Sequence, residues 1–80
     1  MDQRLSFGQW LKRRRLAFGL TQDELARQVG YSVSALRKVE ADELRPSVQV
    51  ANALANVLHI PAAEHDAFIR FARDLPHAED

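Results

Sequence analysis

Residues Gly19–Glu40, GLTQDELARQVGYSVSALRKVE, contain two helix-start signals separated by a glycine. In the first signal Glu24 follows Thr21 by three residues, the spacing of a capping box, in which each side chain hydrogen-bonds the other residue's backbone N–H. Gly19 and Gly30 can each supply the left-handed conformation that ends a helix, and Ser32 is a suitable N-cap for the helix after Gly30. The pattern therefore predicts two helices joined by a tight turn.

Three further helices are predicted around this pair. Ser6 and Gln9 have the spacing of another capping box, Ser47 follows a proline, and Pro61 suits the first turn of a helix. Eighty residues form one domain rather than two. The prediction is an all-α, five-helix bundle over residues 1–80, with helices at about 6–18, 21–29, 32–40, 47–58 and 61–75 and a tail at 76–80.

The composition argues against several function classes. The chain has no cysteine, which excludes disulfides and thiolate metal sites, and its histidines match no metal-ligand spacing. It shows no secretory leader and no apolar run long enough to span a bilayer, so we expect a cytoplasmic protein without a membrane partner. Ser32 and Ser34 have no histidine or lysine in motif spacing, and there is no glycine-rich phosphate loop. We expect neither an enzyme nor a bound metal or cofactor.

The net charge of zero conceals an asymmetry between the two halves. Residues 1–40 carry eight Lys or Arg and four Asp or Glu, whereas residues 41–80 carry three and seven. The basic half suits a polyanionic partner, although a solvated surface explains it as well. The run Lys12–Arg15 fans around a helix, which favours a solvated face over a nucleic-acid patch. Trp10, Phe68 and Phe71 have helical spacing, which favours core packing over a stacking platform for single strands.

The small residues Ala26 and Gly30 suit a steep crossing of the second and third helices. Here the sequence resembles a known family. The run L-x-x-x-R, G-L-T-Q-x-E-L-A-x-x-x-G-x-S-x-x-x-L-x-x-x-E and P-S, within Leu11–Leu58, resembles the helix-turn-helix domain of the phage repressor and Cro (xenobiotic-response-element, XRE) class. The longer run Phe7–Arg73 is similar to the N-terminal module of large bacterial transcriptional regulators, which implies further C-terminal domains.

The resemblance implies a lambda-repressor-like domain that binds double-stranded DNA, with residues 32–40 as the recognition helix in the major groove. Gln22 would bind a phosphate at the N-terminus of the second helix, and Arg15 and Glu40 would form a structural salt bridge. Family members often bind two half-sites as dimers, and the choice between monomer and homodimer stays open. The residues implied to contact phosphates and base edges are Ser32, Val33, Ser34, Arg37 and Lys38.

The loop after the recognition helix departs from the family pattern. Basic residues and a glycine are usual there, whereas this chain has Ala41-Asp42-Glu43-Leu44-Arg45. Arg45 is the only basic residue in this loop, and it is included among the predicted DNA-binding residues. Asp42 can adopt a left-handed turn, but Asp42 and Glu43 would repel a phosphate backbone. These acids favour an alternative function, a protein-interaction module of antitoxin-like or adaptor type built on the same fold.

Overall fold

The structure, a computed structural model, describes residues 5–73. It contains five α-helices and, within those residues, no strand: α1 (Phe7–Ala17), α2 (Gln22–Val29), α3 (Val33–Glu40), α4 (Val48–Val57) and α5 (His65–Arg73). The predicted all-α fold is thereby confirmed. None of these helices is long and apolar enough to cross a membrane.

Local side-chain chemistry begins four of the helices. The predicted capping box of α1 is confirmed, with Ser6 Oγ accepting from the Gln9 backbone N–H at 3.1 Å and the reciprocal bond also present. The α2 box is confirmed in the same way: the Glu24 N–H donates to Thr21 Oγ1 at 3.0 Å, and the Thr21 N–H donates to Glu24 Oε1 at 2.9 Å. Single serine caps begin α3 and α4. The last helix starts later than the predicted residue 61. Pro61 precedes a 3₁₀ turn at Ala62–Glu64, and α5 begins at His65.

Four helices end in the same left-handed turn. Gly19, Gly30, Asp42 and His59 have φ values of 71°, 72°, 62° and 58°. In each turn the residue after the left-handed one donates its N–H to a carbonyl five residues earlier, as Tyr31 does to Ala26 at 2.8 Å. Glycine was the predicted signal for the first two turns, and Asp42 was expected to tolerate the conformation. His59 carried no such signal.

Buried side chains from all five helices form one hydrophobic core. Phe68 is fully buried, with its ring centroid 5.4 Å from Trp10 and 5.6 Å from Phe7. The predicted core packing of Trp10, Phe68 and Phe71 is confirmed, although Phe71 is only half-buried. The predicted end of the last helix at Leu75 and the tail at 76–80 lie outside the described residues.

Candidate nucleic-acid interface

Helices α2 and α3 form a tightly packed pair. Their facing sides carry four buried residues, Leu25, Val29, Leu36 and Val39. Ala26 is 2% exposed at the crossing, so a larger side chain there has no room. The turn between the helices is residues 30–32, as short as the sequence indicated. Burial of one face of α3 leaves its opposite face for a partner.

The outer face of α3 carries hydroxyl and basic side chains. Ser34, Arg37 and Lys38 are exposed, and Ser32 is exposed while its Oγ accepts the N-cap bond from the Ala35 N–H at 3.0 Å. Val33, which the resemblance implied would contact DNA, is less accessible than these residues. It is half-buried and packs against the core, so only part of its side chain is accessible. The accessible face is therefore mainly polar and basic.

A buried ion pair holds α3 against α1. Arg15 Nε donates to Glu40 Oε2 at 2.7 Å and Nη2 donates to Glu40 Oε1 at 3.2 Å. Their side chains are only 7% and 4% exposed. Arg15 Nη1 also donates to the Leu20 carbonyl at 2.9 Å, immediately before α2. One guanidinium thus joins α1, the start of α2 and the end of α3.

Gln22 connects this ion pair to the outer face of α3. Its Nε2 donates to Glu40 Oε1 at 2.9 Å, and its Oε1 accepts from Arg37 Nε at 3.2 Å. Gln22 was predicted only as a phosphate ligand. The structure brings it together with three other predicted residues, Arg15, Arg37 and Glu40, in one continuous hydrogen-bonded chain.

The N-terminus of α2 has a mixed electrostatic character. The capping box uses the N–H groups of Thr21 and Glu24, and Leu25 N–H bonds the Thr21 carbonyl. Within the described residues this leaves the N–H groups of Gln22 and Asp23 for an anion at the positive end of the helix. Hydrogen bonds from the backbone and side chain of Thr21 lower the pKa of the exposed Glu24 carboxyl below 4.5. Glu24 is thus held as a carboxylate beside this end.

Sequence reasoning missed a close contact between the start of α1 and the end of α3. The Gly8 N–H donates to Asp42 Oδ1 at 2.9 Å. A β-carbon at Gly8 would lie 2.5 Å from the Glu40 carbonyl oxygen and 2.6 Å from that of Val39. The available signal was a glycine inside a helical pattern, which often indicates close packing. Asp42 is half-buried and also caps α1, while its expected repulsion of DNA stays a prediction.

Comparison with known proteins agrees with this geometry. A family model described as Helix-turn-helix matches residues 11–65. The chain belongs to the XRE-type helix-turn-helix family. Searches of curated proteins and of solved structures returned no match. In helix-turn-helix domains the second helix of the motif is the recognition helix, and α3 has that position in this chain.

The remaining basic residues of this helix-turn-helix domain differ in environment. Arg45 is exposed and its Nη1 donates to the Arg73 carbonyl at 2.9 Å, which ties it to the end of α5. Arg14 lies over the rings of Trp10 and Phe18, with its Cζ 5.8 and 5.7 Å from their centroids. Lys12 and Arg13 are exposed. The run Lys12–Arg15 is therefore divided between aromatic packing, a buried ion pair and solvent.

Proposed function

We propose that this domain binds double-stranded DNA in a sequence-specific manner, with α3 in the major groove, and thereby regulates transcription. The observation that supports this most directly is the asymmetry of α3. Leu36 and Val39 are buried on one face, whereas Ser34, Arg37 and Lys38 are exposed on the other, beside the N-terminus of α2. A helix with this distribution presents donors to base edges without losing its packing.

The exposed side chains suggest separate roles in binding. Arg37 and Lys38 can donate to O6 and N7 of guanine, and Ser34 can bond either a base edge or a phosphate. The accessible part of Val33 suits a thymine methyl group, and the Ser32 hydroxyl retains a proton to donate to a phosphate. These contacts would carry the sequence preference.

Two further groups are positioned to contact phosphates. Gln22 keeps one amide hydrogen beyond the one donated to Glu40, next to the unbonded N–H groups of the first turn of α2. Arg45 keeps N–H groups beyond the one donated to Arg73. Glu43 is exposed in the same loop and opposes an anion there. Glu43→Gln should therefore tighten binding to every duplex.

The test begins with selection of bound sequences from random duplexes, followed by affinity measurements at several salt concentrations. We expect an enriched motif and an affinity that falls as salt rises. Lys38→Ala should lose about 1–3 kcal/mol of discrimination at one or two base pairs if Lys38 reads a guanine. Arg13→Ala is the matched control, since Arg13 is exposed beside Trp10 and Ala17 and lies two residues from Arg15, on the opposite side of α1.

The same experiment addresses the number of bound copies. Two enriched half-sites whose centres lie about 34–36 Å apart would indicate a homodimer on DNA, and a single half-site a monomer. If folded α3 variants bound every duplex as the wild type does, α3 would not be the DNA-reading element. The protein-interaction function would then be the better hypothesis.

A further inference from the structure

The orientation of the Gln22 side-chain amide is determined by its two partners. Ionised Glu40 can only accept hydrogen bonds, so the NH₂ group of Gln22 must face it. Arg37 can only donate, so the Gln22 carbonyl oxygen must face it. A flipped amide would place a donor against a donor and an acceptor against an acceptor. Gln22 therefore has one stable orientation in this setting.

The inner end of this hydrogen-bonded chain is fixed. Glu40 receives two hydrogen bonds from Arg15, and its side chain is 4% exposed. Gln22 is bonded to Glu40 on one side and to the exposed residue Arg37 on the other, so the fixed position of Glu40 restrains Arg37. The bond to Arg37 uses Nε, so both terminal nitrogens keep their N–H groups for a ligand. A free arginine would sample many rotamers and lose more entropy on binding.

We propose that Gln22 is a positioning residue for Arg37, so that base discrimination by Arg37 depends on the Gln22 amide and, through it, on Glu40. This inference rests on the proposed DNA-binding function. It differs from a role of Gln22 as a phosphate ligand alone. A phosphate ligand affects all sequences about equally, whereas a positioning residue affects the base pairs that Arg37 reads.

The first experiment tests positioning without DNA. We compare ¹⁵N relaxation of the Arg37 Nε–H group in the wild type, in Gln22→Met and in Gln28→Met. Methionine has nearly the length of glutamine and makes neither hydrogen bond, while Gln28 is an exposed residue on the same helix. The Arg37 order parameter should fall in Gln22→Met toward that of exposed Arg13 and stay unchanged in Gln28→Met. An unchanged value in Gln22→Met, with a native melting curve, would overturn the inference.

The second experiment measures affinities for single-base variants of a selected duplex at fixed salt. Gln22→Met should lose discrimination by roughly two- to tenfold, the effect of one hydrogen bond, at the base pairs affected by Arg37→Ala. Adding Gln22→Met to Arg37→Ala should cause no further loss at those base pairs. Gln28→Met should retain the wild-type profile.

The outcomes separate this inference from the proposed function. A wild-type domain with no base preference would overturn the proposed function, and the base-reading role of Arg37 with it. A discriminating wild type whose Gln22→Met variant weakened on all duplexes alike would overturn only the inference. In that case Gln22 would be a phosphate ligand that does not influence Arg37.

Discussion

Helix α1 packs against α3 through polar groups and against α5 through aromatic rings. On the α3 side, Arg15 bonds Glu40, and the Gly8 N–H bonds Asp42. On the α5 side, Phe7 and Trp10 contact Phe68 and Phe71 edge to face, with ring centroids 5.3–6.1 Å apart. We call these the polar side and the aromatic side of α1.

The two sides of α1 differ in how far their contacts determine the orientation of α3. The aromatic side buries apolar area, which stabilises in proportion to that area. Its rings contact α5 rather than α3, so it contributes stability without setting the orientation of α3. Hydrogen bonds and ion pairs require particular distances and angles. The polar side therefore contributes orientation, and it is the side that packs against α3, the helix proposed to read DNA. Substitutions on the aromatic side should change stability alone, whereas those on the polar side should change stability and base preference together.

The largest effect is expected from Phe68→Ala on the aromatic side. Truncation of this fully buried ring should lower the free energy of unfolding by about 3–5 kcal/mol, measured by urea denaturation. The folded fraction should keep the wild-type base preference, because Phe68 is not part of the polar side. A changed base preference in fully folded Phe68→Ala would contradict the separate roles of the aromatic and polar sides.

Arg15→Met on the polar side should have the next largest effect. It leaves Glu40 buried without its charged partner, and the free energy of unfolding should fall by about 1–4 kcal/mol. The double variant Arg15→Met/Glu40→Leu should regain part of that loss, because a buried pair can be replaced by apolar side chains. Its base preference should stay altered, since Gln22 then has no carboxylate to bond. Recovery of both properties would show that the pair does not influence recognition.

Gly8→Ala tests the close approach of α1 to α3. Alanine favours a helix more than glycine does, but its β-carbon would collide with the backbone carbonyls of Glu40 and Val39. We expect a net loss of about 1–3 kcal/mol on thermal or urea unfolding. Lys12→Ala, at an exposed position on the same helix, is the control and should be close to neutral. Equal stability of the two variants would mean that the helices can separate without loss.

The two capping boxes provide a smaller, pH-dependent comparison. Hydrogen bonding to Thr21 lowers the pKa of Glu24 in the folded state, so its stabilisation is present above the unfolded pKa of about 4.5 and is lost as the pH falls through the lower folded value. Gln9 in the α1 box does not titrate in this range. Glu24→Gln should therefore remove this part of the acid sensitivity, measured as the free energy of unfolding against pH. If the free energy of unfolding of the wild type and of Glu24→Gln changed in parallel with pH, the stabilisation would not come from the Glu24 carboxylate.

Much of the fold could be predicted because its signals are local. The capping boxes depend on two residues three positions apart, and Gly19 and Gly30 indicate their turns directly. The link from Gln22 to Arg37 could not be predicted from local pattern, since it joins residues on different helices and requires the position of Glu40. The Gly8–Asp42 contact spans 34 positions and is equally non-local. Family resemblance indicated the partners Arg15 and Glu40, which periodicity alone could not pair.

The smallest expected effect distinguishes the two helix ends that use a residue other than glycine. Asp42 and His59 have φ values of 62° and 58°, and each conformation is strained for a side chain with a β-carbon. His59→Gly should relieve about 1–2 kcal/mol of that strain. The gain is offset in part by the roughly 0.4–1 kcal/mol of backbone entropy that glycine adds to the unfolded chain and by loss of the edge-to-face contact with Phe18. Asp42→Gly relieves the same strain but also removes the acceptor of the Gly8 N–H, whose loss is about 0.5–2 kcal/mol for a cap. We therefore expect His59→Gly to melt above the wild type and Asp42→Gly at or below it. If both variants gained stability equally, the hydrogen bond to Gly8 would contribute nothing, and the orientation of α3 would depend on the Arg15–Glu40 pair alone.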